Sequence, residues 1–321
     1  MDTQLNKIRF FRIFSFLTAI ATYIIIFLGG LVRVSGAGLG CPDWPKCFGR
    51  WIPPTSIDQL PPGFDPSLFN LTLAWIEYIN RLGGVFLGLM ILFVAVLALK
   101  NFRRFPRILI PALLALLLVA FQGWQGSVVV SSLLKPIAIS IHMLLAIIIV
   151  SLMIYLTQTA YYLENRDRLS ATRYPSKINL SIMVLWIAAV IQIITGAEIR
   201  SRIETLVKEF PLLSGVKIVG LVGVVNYLHI GLGFLIVGYS GHLGFKMLKR
   251  SENLPDFIRQ VLWTLMLLAV AQLILGLTLV AIGIPQLSQV FHLWLASLII
   301  GCLLILYVAA SQSTGGSHAV K

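Results

Sequence analysis

Charged residues are scarce in this chain, at 12% of its 321 residues, whereas 58% of the residues are hydrophobic. A mean hydropathy of +0.91 excludes an ordinary soluble domain, in which charged residues make up about a quarter of the total. Eight apolar runs are long enough to cross a bilayer, which takes about 20 residues. They lie at residues 13–34, 71–99, 108–131, 136–160, 178–199, 217–245, 258–282 and 287–311. The sequence therefore predicts an all-α integral membrane protein with eight transmembrane helices.

Acidic residues are the scarcest charged type, 12 against 25 basic residues, which gives a net charge of +13. No base-stacking or groove-reading element accompanies this charge, so we expect no nucleic-acid partner. If the N-terminus is cytoplasmic, most basic residues face the cytoplasm, which is the usual bias of membrane proteins. They are Lys7, Arg9, Arg12, Lys321 and those within 100–107, 166–177 and 246–259. The lack of an Arg/Ser-rich leader favours a prokaryotic plasma membrane, which the chain would cross several times.

Only three cysteines occur, which argues against a cysteine-rich metal site. Cys41 and Cys47 lie in the longest loop, roughly residues 35–70, which faces outward in this orientation. An oxidising compartment favours a disulfide between them, with two free thiols as the alternative. No further Cys or His lies near them to complete a metal site. Cys302 is interpreted as a small buried apolar residue of the last helix.

Four polar positions within the apolar runs form a repeat: Asn80 and His229 are 149 residues apart, and His142 and His292 are 150 apart. Gln and Gly residues repeat with the histidines at 20- and 16-residue intervals, Gln122 and Gly126 before His142, and Gln272 and Gly276 before His292. Histidines are costly to bury in a membrane, and a duplicated set suggests metal or haem ligation. We predict two pseudo-symmetric four-helix bundles, residues 1–165 and 166–321, each with a site between facing helices in the outer half of the membrane.

His229 and His292 are predicted to ligate a low-spin haem from its two sides. Gly231 and Gly233 would let a flat macrocycle approach the backbone, although small residues also favour helix packing. Two core histidines that hydrogen-bond between helices are the alternative. Copper or zinc is less favoured, because two histidines do not complete a tetrahedral site.

Charged residues lie near the outer ends of several apolar runs. Glu77, Asn80 and Arg81 share one helical face. Glu77 is predicted to handle protons or orient a substrate, with a Glu77–Arg81 ion pair that anchors the helix as the alternative. Arg33, Arg81 and Arg200 are predicted to meet haem propionates, and snorkelling to lipid headgroups is the alternative.

Together these residues resemble the haem A synthase family over Gly29 to about Ile305. The resemblance rests on Glu-x-x-(His)-Arg at 77–81, on paired histidines in a duplicated eight-helix chain, and on Cys-Pro-Asp-Trp-Pro-x-Cys-x-Gly at 41–49. It implies oxidation of a methyl group of haem O to the formyl group of haem A for cytochrome c oxidase. It also implies haem O as substrate in the N-terminal half and haem B as cofactor in the C-terminal half.

The resemblance assigns a role to each matching residue. Glu77 matches the family's essential carboxylate, and His142 matches a ligand of the substrate haem. His229 and His292 match the haem B ligands, and the pair Cys41 and Cys47 matches an oxidisable disulfide. The implied partners are haem O synthase and the cytochrome c oxidase assembly machinery, with a homo-oligomer left open.

Asn80 departs from the family pattern, which has His at this position. A haem in the first half would then be ligated by His142 alone. An iron with one open face could bind dioxygen, or this half could bind haem only transiently or do different chemistry. A second outer Cys pair found in some members is also absent from residues 200–216.

Two other classes of function remain open at this point. A di-haem electron-transfer protein would explain the histidines but not the charged residues beside Asn80. A non-enzymatic haem carrier or oxidase assembly chaperone would fit an incomplete ligand set.

Overall fold

The computed structural model describes residues 2–165 and 172–314, and within these ranges the chain is helical with no β-strand. The basic residues Arg166, Arg168 and Lys321 and the tail residue His318 lie outside the described residues. Nine helices are found in the described part: α1 (Asp2–Val34), α2 (Leu71–Asn101), α3 (Pro106–Ser131), α4 (Pro136–Glu164), α5 (Ile178–Glu209), α6 (Gly215–Leu221), α7 (Val224–Arg250), α8 (Asp256–Ile282) and α9 (Gln286–Thr314). Eight of them, all but α6, are long and apolar enough to cross a membrane, which confirms the predicted class.

Local sequence signals explain where several of these helices begin and end. Asn70 caps α2, because its side chain accepts a hydrogen bond of 3.1 Å from the backbone N–H of Leu73. Proline is the first residue of α3 and of α4, where its missing N–H costs no hydrogen bond. Gly283 ends α8 with a φ of +85°, a conformation that glycine adopts without strain.

Two helix boundaries differ from the prediction. The predicted run 178–199 continues as α5 to Glu209, about three further turns. The predicted run 217–245 is divided, because Gly223 adopts a φ of +85° and a ψ of −156° between α6 and α7. Only glycine populates that region readily. The extension of α5 matters for the site because it carries Arg200 and Glu204.

The long helices form two rings of contacts. Helices α1 to α4 each pack against two others of this group, and α5, α7, α8 and α9 do the same. Helices α1 and α4 pack against α9, and α4 also contacts α5. Aromatic residues lie where α1 meets α9: the ring centres of Phe27 and Phe291 are 5.6 Å apart, and Trp294 donates from Nε1 to the carbonyl of Tyr23 over 3.0 Å. The domain division at 165/166 stays a prediction.

The four polar positions of the repeat lie at one end of the molecule. Asn80, His142, His229 and His292 all fall within the first three turns of α2, α4, α7 and α9. The loop 35–70, which holds the cysteines, connects α1 to α2 at this same end. We call it the Cys-loop end.

Candidate functional site

The rings of His229 and His292 face each other between α7 and α9. Their centres are 6.4 Å apart and their planes are inclined by 56°, and both residues are half-buried. Two imidazoles on opposite sides of one metal ion have ring centres roughly 6 Å apart, because each nitrogen–metal bond is about 2 Å long. The observed spacing therefore leaves room for one metal ion between the two rings.

A glycine on a neighbouring helix lies against each of the three histidines. A Cβ on Gly196 would be 3.1 Å from Cε1 of His229, and a Cβ on Gly276 would be 3.2 Å from Cε1 of His292. For Gly126 and His142 the corresponding distance is 3.7 Å. In both repeats, the glycine 16 residues before a histidine, Gly126 or Gly276, therefore lies against the ring of that histidine.

Hydrogen bonds fix the orientation of His229. Its Nδ1 is 3.1 Å from Oγ1 of Thr195, and that hydroxyl is also 3.0 Å from the carbonyl of Ile191. Since the carbonyl takes the hydroxyl proton, Nδ1 of His229 donates to Oγ1, and Nε2 is left as the unprotonated nitrogen that a metal requires. Gln192 donates to the carbonyl of His229 over 2.8 Å.

The two glycines after His229 differ in their surroundings. A Cβ on Gly233 would be 3.2 Å from Nε2 of Gln192, so this glycine makes room for the glutamine. Gly231 has no atom within 4 Å of a Cβ. On α9, Nδ1 of His292 is buried, and the backbone of Gln272, 20 residues earlier in the chain, is placed to hydrogen-bond with this ring.

His142 in the first half is oriented by the same two kinds of hydrogen bond as His229. Its Nδ1 is 3.1 Å from Oε1 of Gln125, whose amide nitrogen donates to the carbonyl of Ala138 over 3.0 Å. Because the amide nitrogen is engaged, the amide oxygen accepts from Nδ1, and Nε2 of His142 is again the free nitrogen. Gln122 donates to the carbonyl of His142 over 3.0 Å, as Gln192 does for His229.

Asn80 replaces the second imidazole of the first half. It is half-buried on α2. Gly29 precedes Arg33 by four residues, as Gly196 precedes Arg200, and has no atom within 4 Å of a Cβ. Gly196 thus has a histidine ring against it, whereas no side chain of the described residues lies against Gly29.

Glu77 and Arg81 join α2 to the Cys loop. Glu77 is buried, with 6% of its surface exposed, and its Oε1 is 2.9 Å from Nε of Arg81. The other two nitrogens of Arg81 donate to the carbonyls of Asp43, Lys46 and Cys41 over 2.8, 2.9 and 3.2 Å. Arg81 thus holds the loop, and its nitrogens are engaged by the protein.

The Cys loop is tightly packed around a disulfide. Cys41 and Cys47 are bonded to each other, which confirms the predicted bridge, and both are buried. They pack with Phe48 and Ala74. Gly40 lies directly against the carbonyl of Leu73, where no larger residue would fit.

Arg33 and Arg200 meet at Glu204. Oε1 of Glu204 is 3.6 Å from Nε of Arg33 and 3.1 Å from Nη2 of Arg200. Sequence reasoning missed Glu204, because the predicted fifth span ended at residue 199. The i,i+4 spacing of Arg200 and Glu204 was the available signal.

In residues 2–165 and 172–314 no group of three or more His, Cys, Asp or Glu residues is placed to hold a metal ion.

Comparison with known proteins identifies the family. The COX15-CtaA family, described as cytochrome oxidase assembly protein, matches residues 12–304. The chain belongs to this family. Proteins named Heme A synthase are among its relatives: that of Halalkalibacterium halodurans is 25% identical over 95% of this chain and 98% of its own length.

Two further relatives carry the same name. The protein of Alkalihalophilus pseudofirmus is 26% identical over 84% of this chain and 86% of its own. That of Shewanella oneidensis is 35% identical over 53% of this chain. This last match spans only half the length of the Shewanella protein.

Proposed function

We propose that this chain is a haem A synthase, a membrane oxidoreductase that oxidises a methyl group of haem O to the formyl group of haem A for cytochrome c oxidase. The observation that carries the proposal is the inequality of the two repeats. One half has two imidazoles whose ring centres are 6.4 Å apart, and the other has His142 on α4 with Asn80 at the corresponding position of the repeat on α2. The half with two imidazoles suits a cofactor that stays bound, and the half with His142 and Asn80 suits a substrate that must enter and leave.

His229 and His292 are the proposed ligands of a haem B cofactor. Such a haem, when bound, supplies a one-electron carrier beside the substrate site. Thr195 orients His229, and Gly196 and Gly276 make room for the two rings. These contacts support a position in which the two imidazoles could ligate one iron between α7 and α9.

His142 is the proposed ligand of the substrate haem in the N-terminal half. Gln125 holds its tautomer, so that Nε2 is directed at the ligand. Arg33 would meet a propionate, and Asn80 leaves the opposite side of the ring without an imidazole. The substrate is therefore bound from one side only.

Glu77 is proposed to position the reacting edge of haem O or to move protons. It is buried and ion-paired to Arg81, so its position is held. Arg81 links it to three carbonyls of the Cys loop, and the disulfide Cys41–Cys47 in that loop is proposed to be oxidisable and reducible in the reaction cycle.

The remaining proposals concern the surroundings of the protein. We place it in a plasma membrane with a cytoplasmic N-terminus and the Cys-loop end outward, and we treat residues 1–165 and 166–321 as its two halves. Haem O synthase and the cytochrome c oxidase assembly machinery are the proposed partners, with a homo-oligomer left open.

The deciding experiment is expression with a haem O synthase in a bacterial host that makes no haem A, followed by haem extraction and chromatography. Haem A, or its hydroxylated precursor, is the expected product. Bound haem O that is never converted would instead establish a haem carrier, the function that Asn80 favours as the second candidate. Two low-spin haems that titrate alike would indicate an electron-transfer protein.

A further inference from the structure

Glu204 lies between two arginines that belong to different repeats. Arg33 ends α1, whereas Arg200 and Glu204 are one turn apart on α5. All three side chains are partly buried, with 16%, 25% and 36% of their surfaces exposed. A single carboxylate therefore serves two guanidinium groups, and the cluster keeps an excess of positive charge.

Each of the two arginines also lies beside a different histidine site. Nη1 of Arg33 is 3.9 Å from Sδ of Met143, the residue that follows His142. Arg200 is one turn from Gly196 on the same face of α5, and Gly196 lies against the ring of His229. Glu204 is thus connected through one arginine to the first site and through the other to the second.

Both arginines have a buried Nε that the protein satisfies poorly. Nε of Arg200 is buried and makes no hydrogen bond, and Nε of Arg33 has only the 3.6 Å ion pair with Glu204. Buried donors without acceptors are costly, and a further carboxylate is the group that best satisfies a guanidinium. Haem carries such carboxylates as its propionates.

We propose that Glu204 couples the two haem sites by competing with haem propionates for Arg33 and Arg200. This inference rests on the proposed function in so far as that function puts a haem in each half. When one haem is bound, its propionate takes one arginine and Glu204 keeps the other. When both are bound, carboxylates outnumber the arginines, and one of them loses its partner. The second haem to bind is therefore held more weakly, which keeps the substrate haem exchangeable while the cofactor stays in place.

Titration with haem B measures this coupling. The dissociation constant of the His142 site is determined in protein whose second site is loaded and in His292→Ala protein whose second site is empty. We expect the loaded protein to bind the first-site haem at least about fivefold more weakly, within the usual range of coupling between sites. The dimethyl ester of haem B, which lacks free propionates, should bind the loaded and the empty protein with nearly equal dissociation constants, a ratio near one.

Glu204→Gln should abolish the coupling, so that the two dissociation constants become equal. Glu198→Gln is the matched control, because Glu198 forms the same i,i+4 pair with Arg202 on the same helix, at 3.2 Å and with 48% of its side chain exposed. It should keep the wild-type ratio. Glu204→Ala is a second variant, and the low-spin spectrum of the second-half haem reports whether each variant is folded.

A wild-type ratio near one, or an unchanged ratio in both Glu204 variants, would overturn the inference. Failure of both sites to bind haem would overturn the proposed function with it. Normal coupling in a protein that never forms haem A would contradict the proposed function alone.

Discussion

Alanine in place of the glycines that lie against the histidines should loosen haem without unfolding the protein. A Cβ on Gly196 or Gly276 would be 3.1 or 3.2 Å from a histidine Cε1, a few tenths of an ångström closer than an ordinary contact. The imidazole must therefore move or tilt away from the iron. Small displacements matter here, because disturbing the residues that orient a metal ligand typically costs about 10- to 100-fold in affinity.

The effect on folding should be much smaller. A glycine inside a helix is about 1 kcal/mol less favourable than alanine, whereas overpacking of a core costs about 1–3 kcal/mol. The two contributions oppose each other, so the thermal midpoint should change little. Loss of haem B from a folded protein is thus the expected signature.

The chain offers a graded set of controls for this prediction. Alanine at Gly126 would stand 3.7 Å from Cε1 of His142, an ordinary contact, and alanine at Gly241, 12 residues beyond His229 on α7, would meet nothing within 4 Å. Haem B per polypeptide, measured by pyridine haemochrome in purified protein, should fall for Gly196→Ala and Gly276→Ala and stay at the wild-type level for Gly241→Ala. Equal haem content in all four variants would refute the reasoning, as would a loss confined to Gly241→Ala.

Three further predictions concern the first half. Glu77→Gln should keep haem bound but lower haem A formation by about 100-fold or more, in the range of general acid–base catalysis; full activity in extracted-haem assays would exclude the proposed role. Arg81→Ala should destabilise the protein by about 3–5 kcal/mol, because it leaves the buried Glu77 carboxylate unpaired, and it should expose the Cys loop to proteolysis; an unchanged melting curve and cleavage pattern would contradict this. Asn80→His should convert a first-half haem to a low-spin spectrum, because it restores the imidazole that His229 supplies at the corresponding position of the second half; a spectrum that stays high-spin would contradict the proposed pairing of position 80 with His142.

The sequence predicted the elements that rest on local pattern and repetition. Eight hydrophobic spans are visible because each is long enough to cross a bilayer, and the 16-residue interval marked Gly126 and Gly276 as members of the repeat. That each of these glycines lies against its histidine ring is seen only in the structure. The partners of Arg81 were not predictable, because the carbonyls that it contacts are brought together only by the folding of the Cys loop. Glu204 was missed because a hydropathy window ends where α5 becomes polar, although the helix itself continues.

The repeat also shows that the two halves carry different polar residues at corresponding positions. Shifted by the 149 residues that separate Asn80 from His229, Glu77 and Arg81 correspond to Asn226 and Ile230. The half with two facing imidazoles thus has no ion pair at these positions, and the half with the pair lacks the second imidazole. An ion pair buried in a membrane helix is costly and marks a functional position. The half proposed to release its haem is therefore also the half that contains Glu77 and Arg81. This arrangement suits an enzyme that oxidises haem itself, because a proton-carrying group lies in the substrate half.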